Sequence, residues 1–206
     1  MTLIYLSLTG CGLFKNSTPK IKNSHSYNEG PIVVFGDSLA YGHGATSEEK
    51  TFTGCFRSVY GKTVINMGQN GATSSDVVGR INQVTQLKPS MVFVSLGGND
   101  ILRRNASETT LNNMRKIFKN FTEEGSLVLY LGLNPPQSFF MGKFIDVKRF
   151  RQIKDIAKEE GVLFIDDAFK DLWKKSEYMF DDIHPNDNGY STICSRLIGL
   201  LEPHYD

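Results

Sequence analysis

Residues 31–39 read PIVVFGDSL, an apolar run followed at once by a polar turn. Ile32–Phe35 does not alternate between apolar and polar side chains, which is typical of a strand buried on both faces. Four similar runs follow along the chain, at Val64–Asn66, Met91–Leu96, Leu127–Leu133 and Val162–Ile165. Together these runs predict a five-stranded sheet that must be covered on both faces.

Segments with a helical spacing of apolar residues lie between the predicted strands, at residues 77–84, 111–121 and 150–157. A last helical segment extends to about Leu201. Gly125 and Gly161 stand where two helices must stop, because glycine adopts the left-handed conformation at low cost. Alternating strands and helices with right-handed crossovers predict one three-layer α/β/α domain with a doubly wound, mainly parallel sheet. Ligands of such sheets bind at the carboxyl ends of the strands.

The length of 206 residues suits a single globular domain. Lys and Arg total 23 and Asp and Glu total 22, so no broad positive field exists to hold a nucleic acid. The three cysteines form no CxxC pair and show no metal-ligand spacing with histidine, so we expect no metal site. The sequence leaves open whether Cys55 and Cys194 are buried thiols or a disulfide.

The first eleven residues, MTLIYLSLTGC, are uncharged and mostly apolar, too short to span a bilayer but long enough for the apolar part of a secretory signal. Leu8–Cys11 resembles a bacterial lipoprotein box, which implies lipidation of Cys11 and a lipid-anchored protein in the periplasm or at the outer membrane. The alternative is a cytoplasmic protein with a frayed N-terminus and a buried Cys11. Residues 12–30 have the composition of a flexible tether, so the folded domain is expected to span residues 31–206.

The turn after the first predicted strand carries Gly36-Asp37-Ser38-Leu39. A serine at a strand-to-helix junction exposes its hydroxyl at the sheet edge while its own N–H points into the same space. Ser38 could therefore serve both as a nucleophile and as an oxyanion donor. The alternative is that Asp37 and Ser38 only cap a helix.

Two more polar loops follow the second and third predicted strands. The Gly71 N–H could be a second oxyanion donor, because glycine lets the backbone approach a ligand closely. The side-chain amide of Asn99, within Gly97–Asp100, could be a third donor. Both loops could also be simple turns.

Asp181 precedes His184 by three residues near the end of the chain. On a bent loop this carboxylate can reach the imidazole Nδ1 and leave Nε2 to take a proton from a serine. His43 has no acidic residue three positions earlier, so His184 is the predicted base. Asp182 lacks the three-residue spacing and is expected to be a solvated neighbour.

From about Ile32 to Leu201, the ordered set of four motifs resembles the SGNH hydrolases, also called GDSL esterases and lipases. It is most similar to the small bacterial branch of multifunctional thioesterases, arylesterases and lysophospholipases. The resemblance implies a flavodoxin-like SGNH fold and the following site residues: the catalytic Ser38, His184 and Asp181, with an oxyanion hole made by the Ser38 N–H, the Gly71 N–H and the Asn99 side chain. Asn70, which precedes Gly71, departs from that branch, where serine is often found at this position.

This resemblance implies a serine esterase or acylhydrolase that cleaves carboxylic esters, and also thioesters or lysophospholipids, through an acyl-enzyme. The alternatives are an O-deacetylase acting on a polysaccharide or peptidoglycan, and a catalytically idle lipoprotein that binds glycans. We expect a monomer that takes a small ester or lipid as substrate and needs no cofactor. Candidate substrate contacts are Asp37, Asp100, Phe139 and Phe140, although the two phenylalanines could equally fill the core beneath a loop.

Overall fold

The computed structural model describes residues 20–24, 29–133 and 147–205. These residues form a sheet whose strands are β1 (Ile32–Gly36), β2 (Val64–Gly68), β3 (Met91–Ser95), β4 (Leu127–Leu131) and β5 (Leu163–Ile165). The order is β2-β1-β3-β4-β5, and every neighbouring pair is parallel. The predicted doubly wound sheet is confirmed, with strand ends displaced by two residues or fewer.

Helices connect and follow the strands in the described residues. They are α1 (Ser38–Tyr41), α2 (Phe52–Tyr60), α3 (Ser74–Val77), α4 (Ile81–Thr85), α5 (Gly98–Leu102), α6 (Ser107–Glu123), α7 (Val147–Glu159) and α8 (Asp187–Leu201). The segment expected to be one helix at residues 77–84 is divided by a 3-10 turn, Val78–Arg80. Gly79 stands in that turn, and glycine in a helix interior costs about 1 kcal/mol relative to alanine. Gly125 and Gly161 take positive φ angles of 90° and 72° after α6 and α7, as predicted for helix stops.

Each face of the sheet carries its own apolar cluster, because successive side chains of a strand point to opposite faces. On one face, Ile32 and Val34 of β1 pack with α2 and α8. On the other face, Val33 and Phe35 pack with α4, α6 and α7. All four of these side chains are fully buried. The expected α/β/α layering is therefore present.

A disulfide joins Cys55 of α2 to Cys194 of α8, with the two Cα atoms 6.3 Å apart. The sequence left open whether these two cysteines are buried thiols or a disulfide, and the structure shows the disulfide. Both helices lie on the same face of the sheet, so the bond ties the C-terminal helix to the first long helix of the fold.

Part of the segment expected to be a tether contacts the domain. The Asn23 side chain donates hydrogen bonds of 2.8 Å to the carbonyl oxygens of Thr122 and Ser126, at the end of α6. The Lys22 N–H donates to the Gly161 carbonyl at 2.9 Å. Residues 1–19, including Cys11, lie outside the described residues. Within the described ranges, no helix combines the length and the apolar character needed to cross a membrane.

Strand β1, which lies between β2 and β3, is the point where the chain changes direction across the sheet. From β1 the chain passes to β2 on one side and then crosses to β3 on the other. The loops that leave the carboxyl ends of these strands diverge and open a crevice between them, which is where doubly wound sheets bind their ligands.

Candidate active site

The GDSL turn leaves β1 at the mouth of this crevice. Gly36 has a φ of 139°, and a Cβ built there would overlap the carbonyl oxygen of Ser95 on β3. Glycine therefore lets the end of β1 lie close against β3. Asp37 then caps α1, because its Oδ1 accepts hydrogen bonds from the Leu39 N–H and the Ser95 hydroxyl, both at 3.1 Å. This anchoring places Ser38 as the first residue of α1.

Asp37 is only 2% exposed, and burial raises the pKa of its carboxyl group to about 7 even though its hydrogen bonds act in the opposite direction. Asp37 is a candidate substrate contact on the sequence alone. In the structure its carboxylate holds the turn that carries Ser38, although the residue also borders the crevice.

His184 lies across the crevice from Ser38. The Ser38 Oγ is 2.8 Å from His184 Nε2, and His184 Nδ1 is 2.8 Å from Asp181 Oδ2 and 3.0 Å from Oδ1. Ser38 and His184 are 146 positions apart in the sequence. The structure thus brings together the three predicted residues in the order serine, imidazole, carboxylate.

The bent loop expected around Asp181 is held by backbone hydrogen bonds. The Asp181 Oδ1 accepts from the N–H groups of Ile183 and His184, both at 2.7 Å. The Phe180 N–H donates to the His184 carbonyl at 2.8 Å. Partial burial would raise the pKa of Asp181, but hydrogen bonds from these amides and from the imidazole outweigh it and hold the pKa below its usual value. The carboxylate next to His184 is therefore kept ionised at neutral pH.

The loop after β2 that contains Gly71 and Ala72 is held by hydrogen bonds from side chains at α5. Asn99 donates from Nδ2 to the Ala72 carbonyl at 2.9 Å, and Arg103 donates from Nη2 to the Gly71 carbonyl at 2.7 Å. Gly71 itself has a φ of 72°. A primary amide has two N–H donors, so the Asn99 side chain has a second N–H beyond the one that bonds Ala72.

Asp100 does not face the crevice as the candidate substrate contact that the sequence suggests. It is 1% exposed, and its carboxylate accepts hydrogen bonds from the Ser74 N–H at 2.8 Å, the Ser74 hydroxyl at 2.7 Å and the Thr110 hydroxyl at 3.2 Å. Asp100 lies in α5, and these hydrogen bonds join it to Ser74 at the start of α3 and to Thr110 of α6. Its role is to support the two loops that border the crevice.

A cavity of about 220 Å³ opens at this point. Among the residues that line it are the predicted Ser38, Gly71, Asn99 and His184. It is also lined by residues that the sequence analysis did not select as site residues: His43, Leu102, Leu133 and Ile183. Leu102 and Ile183 could have been found from their positions, since each lies within three residues of a predicted site residue. His43 could have been found only from the fold, which places its ring beside that of His184.

Phe139 and Phe140, the other candidate substrate contacts, lie outside the described residues. The apolar wall described here is formed instead by Leu39, Leu102 and Leu133.

Comparisons with known proteins identify the family of this chain. The sequence profile of the GDSL-like Lipase/Acylhydrolase family matches residues 34–191. "Thioesterase 1/protease 1/lysophospholipase L1" of Escherichia coli (strain K12) is 26% identical over 175 residues, which cover 84% of this chain and 83% of that protein. "Arylesterase" of Vibrio mimicus is 26% identical over 180 residues, covering 84% of this chain and 88% of that protein.

Solved structures share the fold. A crystal structure of TesA superposes with a TM-score of 0.71 at 22% sequence identity, covering 84% of this chain and 98% of that one. The psychrotrophic esterase EstA from Pseudoalteromonas sp., in a structure inhibited by monoethylphosphonate, gives a TM-score of 0.69 at 21% identity, covering 84% and 97%.

Proposed function

Because this chain belongs to the GDSL-like lipase/acylhydrolase family and is a hydrolase acting on ester bonds, we propose that it cleaves carboxylic esters with Ser38 as nucleophile, His184 as general base and Asp181 as the residue that orients the base. One observation carries the proposal: the unbroken relay of 2.8 Å contacts from Ser38 Oγ to His184 Nε2 and from His184 Nδ1 to Asp181 Oδ2. A nucleophile within hydrogen-bond reach of a base, itself oriented by a third group, is the arrangement that activates a serine.

The first step transfers the Ser38 proton to His184 Nε2 as Oγ attacks the carbonyl carbon of the ester. Asp181 accepts the Nδ1–H bond throughout, which fixes the tautomer with a free Nε2 and stabilises the imidazolium that forms. Its lowered pKa means that it stays a carboxylate and does not take the proton itself.

The carbonyl oxygen becomes an oxyanion in this step and needs donors aimed at its new position. We assign these to the Ser38 N–H, the Gly71 N–H and the free N–H of the Asn99 amide. The bonds from Asn99 and Arg103 to the carbonyls of Ala72 and Gly71 support this assignment, because they fix the loop before the substrate arrives. Donors that are already in place cost no reorganisation during the reaction.

The tetrahedral intermediate then collapses. The bond to the leaving alcohol breaks, and that alcohol takes the proton from His184, which leaves an acyl group on Ser38. Water attacks the acyl-enzyme while His184 takes one of its protons. The second collapse returns that proton to Ser38 and releases the carboxylic acid.

The apolar wall made by Leu39, Leu102 and Leu133 supports an acyl group with an aliphatic chain as the part of the substrate that lies beside Ser38. The names of the similar proteins mention thioesters, aryl esters and lysophospholipids. We therefore include thioesters and lysophospholipids among the proposed substrates, since the same attack on an acyl carbon serves all of them.

Initial rates on p-nitrophenyl acetate, butyrate, octanoate and palmitate test this proposal. We expect turnover to rise from acetate towards the medium chains, and Ser38→Ala and His184→Ala to lose nearly all of it while remaining folded by circular dichroism. The matched control is Asp182→Ala, which removes the neighbouring carboxylate and should keep most of the activity. Undiminished hydrolysis by Ser38→Ala would reject the nucleophile, and turnover confined to acetate would reject the aliphatic acyl group.

We also propose that the protein works outside the cytoplasm, anchored by a lipid on Cys11. The Cys55–Cys194 disulfide supports an oxidising compartment, because such bonds are rare where thiols are kept reduced. Growth with a labelled fatty acid tests the anchor: label is expected in the wild-type protein and absent from Cys11→Ser. Equal labelling of the two would reject Cys11 as the attachment point.

A further inference from the structure

A second imidazole lies beside the proposed base and has no part in the proposed reaction. The ring centroids of His43 and His184 are 4.5 Å apart, with the planes at 69°. His43 is partly exposed and borders the same cavity as Ser38. Histidine is a common metal ligand, and the proposed ester hydrolysis does not require an imidazole at this position.

The fold holds His43 at this place through its backbone. Its N–H donates to the Ser38 carbonyl at 2.9 Å, and its own carbonyl accepts from the Tyr190 hydroxyl of α8 at 2.9 Å. The Phe180 ring packs against the imidazole with a centroid distance of 5.7 Å. Two hydrogen bonds therefore hold the His43 backbone, and the Phe180 ring packs against its side chain at the cavity wall.

His43, Asp181 and His184 each offer one ligand atom, and these three atoms all lie within 4.8 Å of one another. Zn²⁺ binds nitrogen and oxygen ligands at about 2.0–2.2 Å. Each of the three ligand atoms must therefore move by only on the order of 1 Å towards a common centre to bind an ion. Asp181 is already placed for this, because two backbone amides fix its Oδ1 and leave Oδ2 towards the imidazole.

We propose that His43, Asp181 and His184 form a binding site for Zn²⁺ that reversibly inhibits the enzyme. Two imidazoles and a carboxylate, with a water molecule in the fourth position, are a typical ligand set for this ion. In the described part of the chain the two cysteines are joined to each other, so neither supplies a competing thiolate.

Inhibition follows whichever nitrogen of His184 binds the ion. A neutral imidazole has one N–H and one acceptor nitrogen. The metal occupies the acceptor, and the other nitrogen keeps its hydrogen, so no nitrogen remains to take the proton from Ser38. This inhibitory effect rests on the proposed function, whereas the existence of the metal site does not.

Zinc binding is measured first, without reference to activity, by competition of the full chain with a chromophoric zinc chelator. We expect the wild-type protein to hold one more equivalent of Zn²⁺ than His43→Gln, or to hold it at least tenfold more tightly. The matched control is His204→Gln, which removes a histidine that contacts Ser24 and lies outside the cluster, and which should bind zinc like the wild type. Equal zinc binding by wild type and His43→Gln would overturn the site.

Ester hydrolysis is then followed with added ZnCl2, each variant being compared with its own zinc-free rate. We expect EDTA to restore the wild-type rate fully, and the half-inhibiting zinc concentration to rise at least tenfold in His43→Gln. Binding that depends on His43 but leaves hydrolysis unchanged would overturn the inhibition and keep the site. Full activity in Ser38→Ala would reject the esterase mechanism instead, and the chelator competition would still decide the zinc site.

Discussion

Asn99 and Arg103 support the same turn, but only Asn99 is proposed to contact the oxyanion. Removal of one such donor costs about 10²–10³-fold in kcat in other enzymes. We expect Asn99→Ala to lower kcat on the order of 10²-fold with little change in KM, because the donor acts on the transition state more than on the bound ester. Arg103→Ala is the control, since it removes the bond to the Gly71 carbonyl and no oxyanion donor, and its loss should be several-fold smaller. Equal losses would mean that Asn99 acts only through the turn.

Asp37 should make the stability of the protein depend on pH. Its pKa rises from an ordinary value of 3.8 to about 7 on folding, because burial disfavours the charged form. The folded state thus binds the proton more tightly than the unfolded chain does. The contribution to the free energy of unfolding is fully present below about pH 4 and is lost as the pH rises towards 7.

Asp37→Asn tests this dependence, because it keeps an oxygen that can cap α1 and has no charge to desolvate. We expect the free energy of unfolding of the wild type, measured in urea relative to that of the variant, to fall by on the order of 2–4 kcal/mol between pH 4 and pH 7. A constant difference between the two proteins across this range would show that the carboxyl group does not titrate there.

Individual site residues differ in how far the sequence could predict them. Ser38 was predicted from its place directly after the first strand, and Asp181 and His184 from the three-residue spacing between them. The sequence suggests Asp37 and Asp100 as substrate contacts because it does not show that their hydrogen-bond partners are Ser95 of β3 and Ser74 of α3. A polar residue beside a catalytic motif has the same sequence signature whether it faces the substrate or supports the loop.

The carboxyl ends of β1, β2 and β3 carry the loops that contain Ser38, Gly71 and Asn99, whereas Asp181 and His184 lie between β5 and α8. The ends of the strands are in register, with Gly36 paired to Gly68 and to Ser95. A doubly wound, mainly parallel sheet was predictable from the buried apolar runs and the helical segments between them. The division of the helix around Gly79 was not, because apolar periodicity continues across a short 3-10 turn.

The disulfide between α2 and α8 is the covalent tie between helices distant in sequence. Its two cysteines are 139 positions apart, and closure of a long loop removes much conformational entropy from the unfolded chain. We expect the Cys55→Ser/Cys194→Ser double variant to lose about 2–5 kcal/mol of unfolding free energy in urea. A reductant should destabilise the wild type to the same level and leave the double variant unchanged. Equal stability of oxidised wild type and double variant would contradict a stabilising bond.

In the whole molecule, the α/β fold places Ser38, from near the start of the domain sequence, in contact with His184, from near its end. Sequence order and strand-end placement predicted the contact, and the 2.8 Å separation of Ser38 Oγ and His184 Nε2 is the distance that the mechanism requires. The packing of residues 20–24 on α6 could not be predicted, because a polar segment without periodicity resembles a tether until the fold supplies its partners.

Covalent labelling with a p-nitrophenyl alkylphosphonate tests whether His184 activates Ser38, because an activated serine displaces the nitrophenolate much faster than an ordinary hydroxyl does. We expect one adduct per chain by intact mass, located on Ser38 by peptide mapping. Labelling should be absent in Ser38→Ala and at least 10²-fold slower in His184→Ala. An adduct on another residue would reject Ser38 as the nucleophile, and equal labelling rates in wild type and His184→Ala would reject His184 as its base.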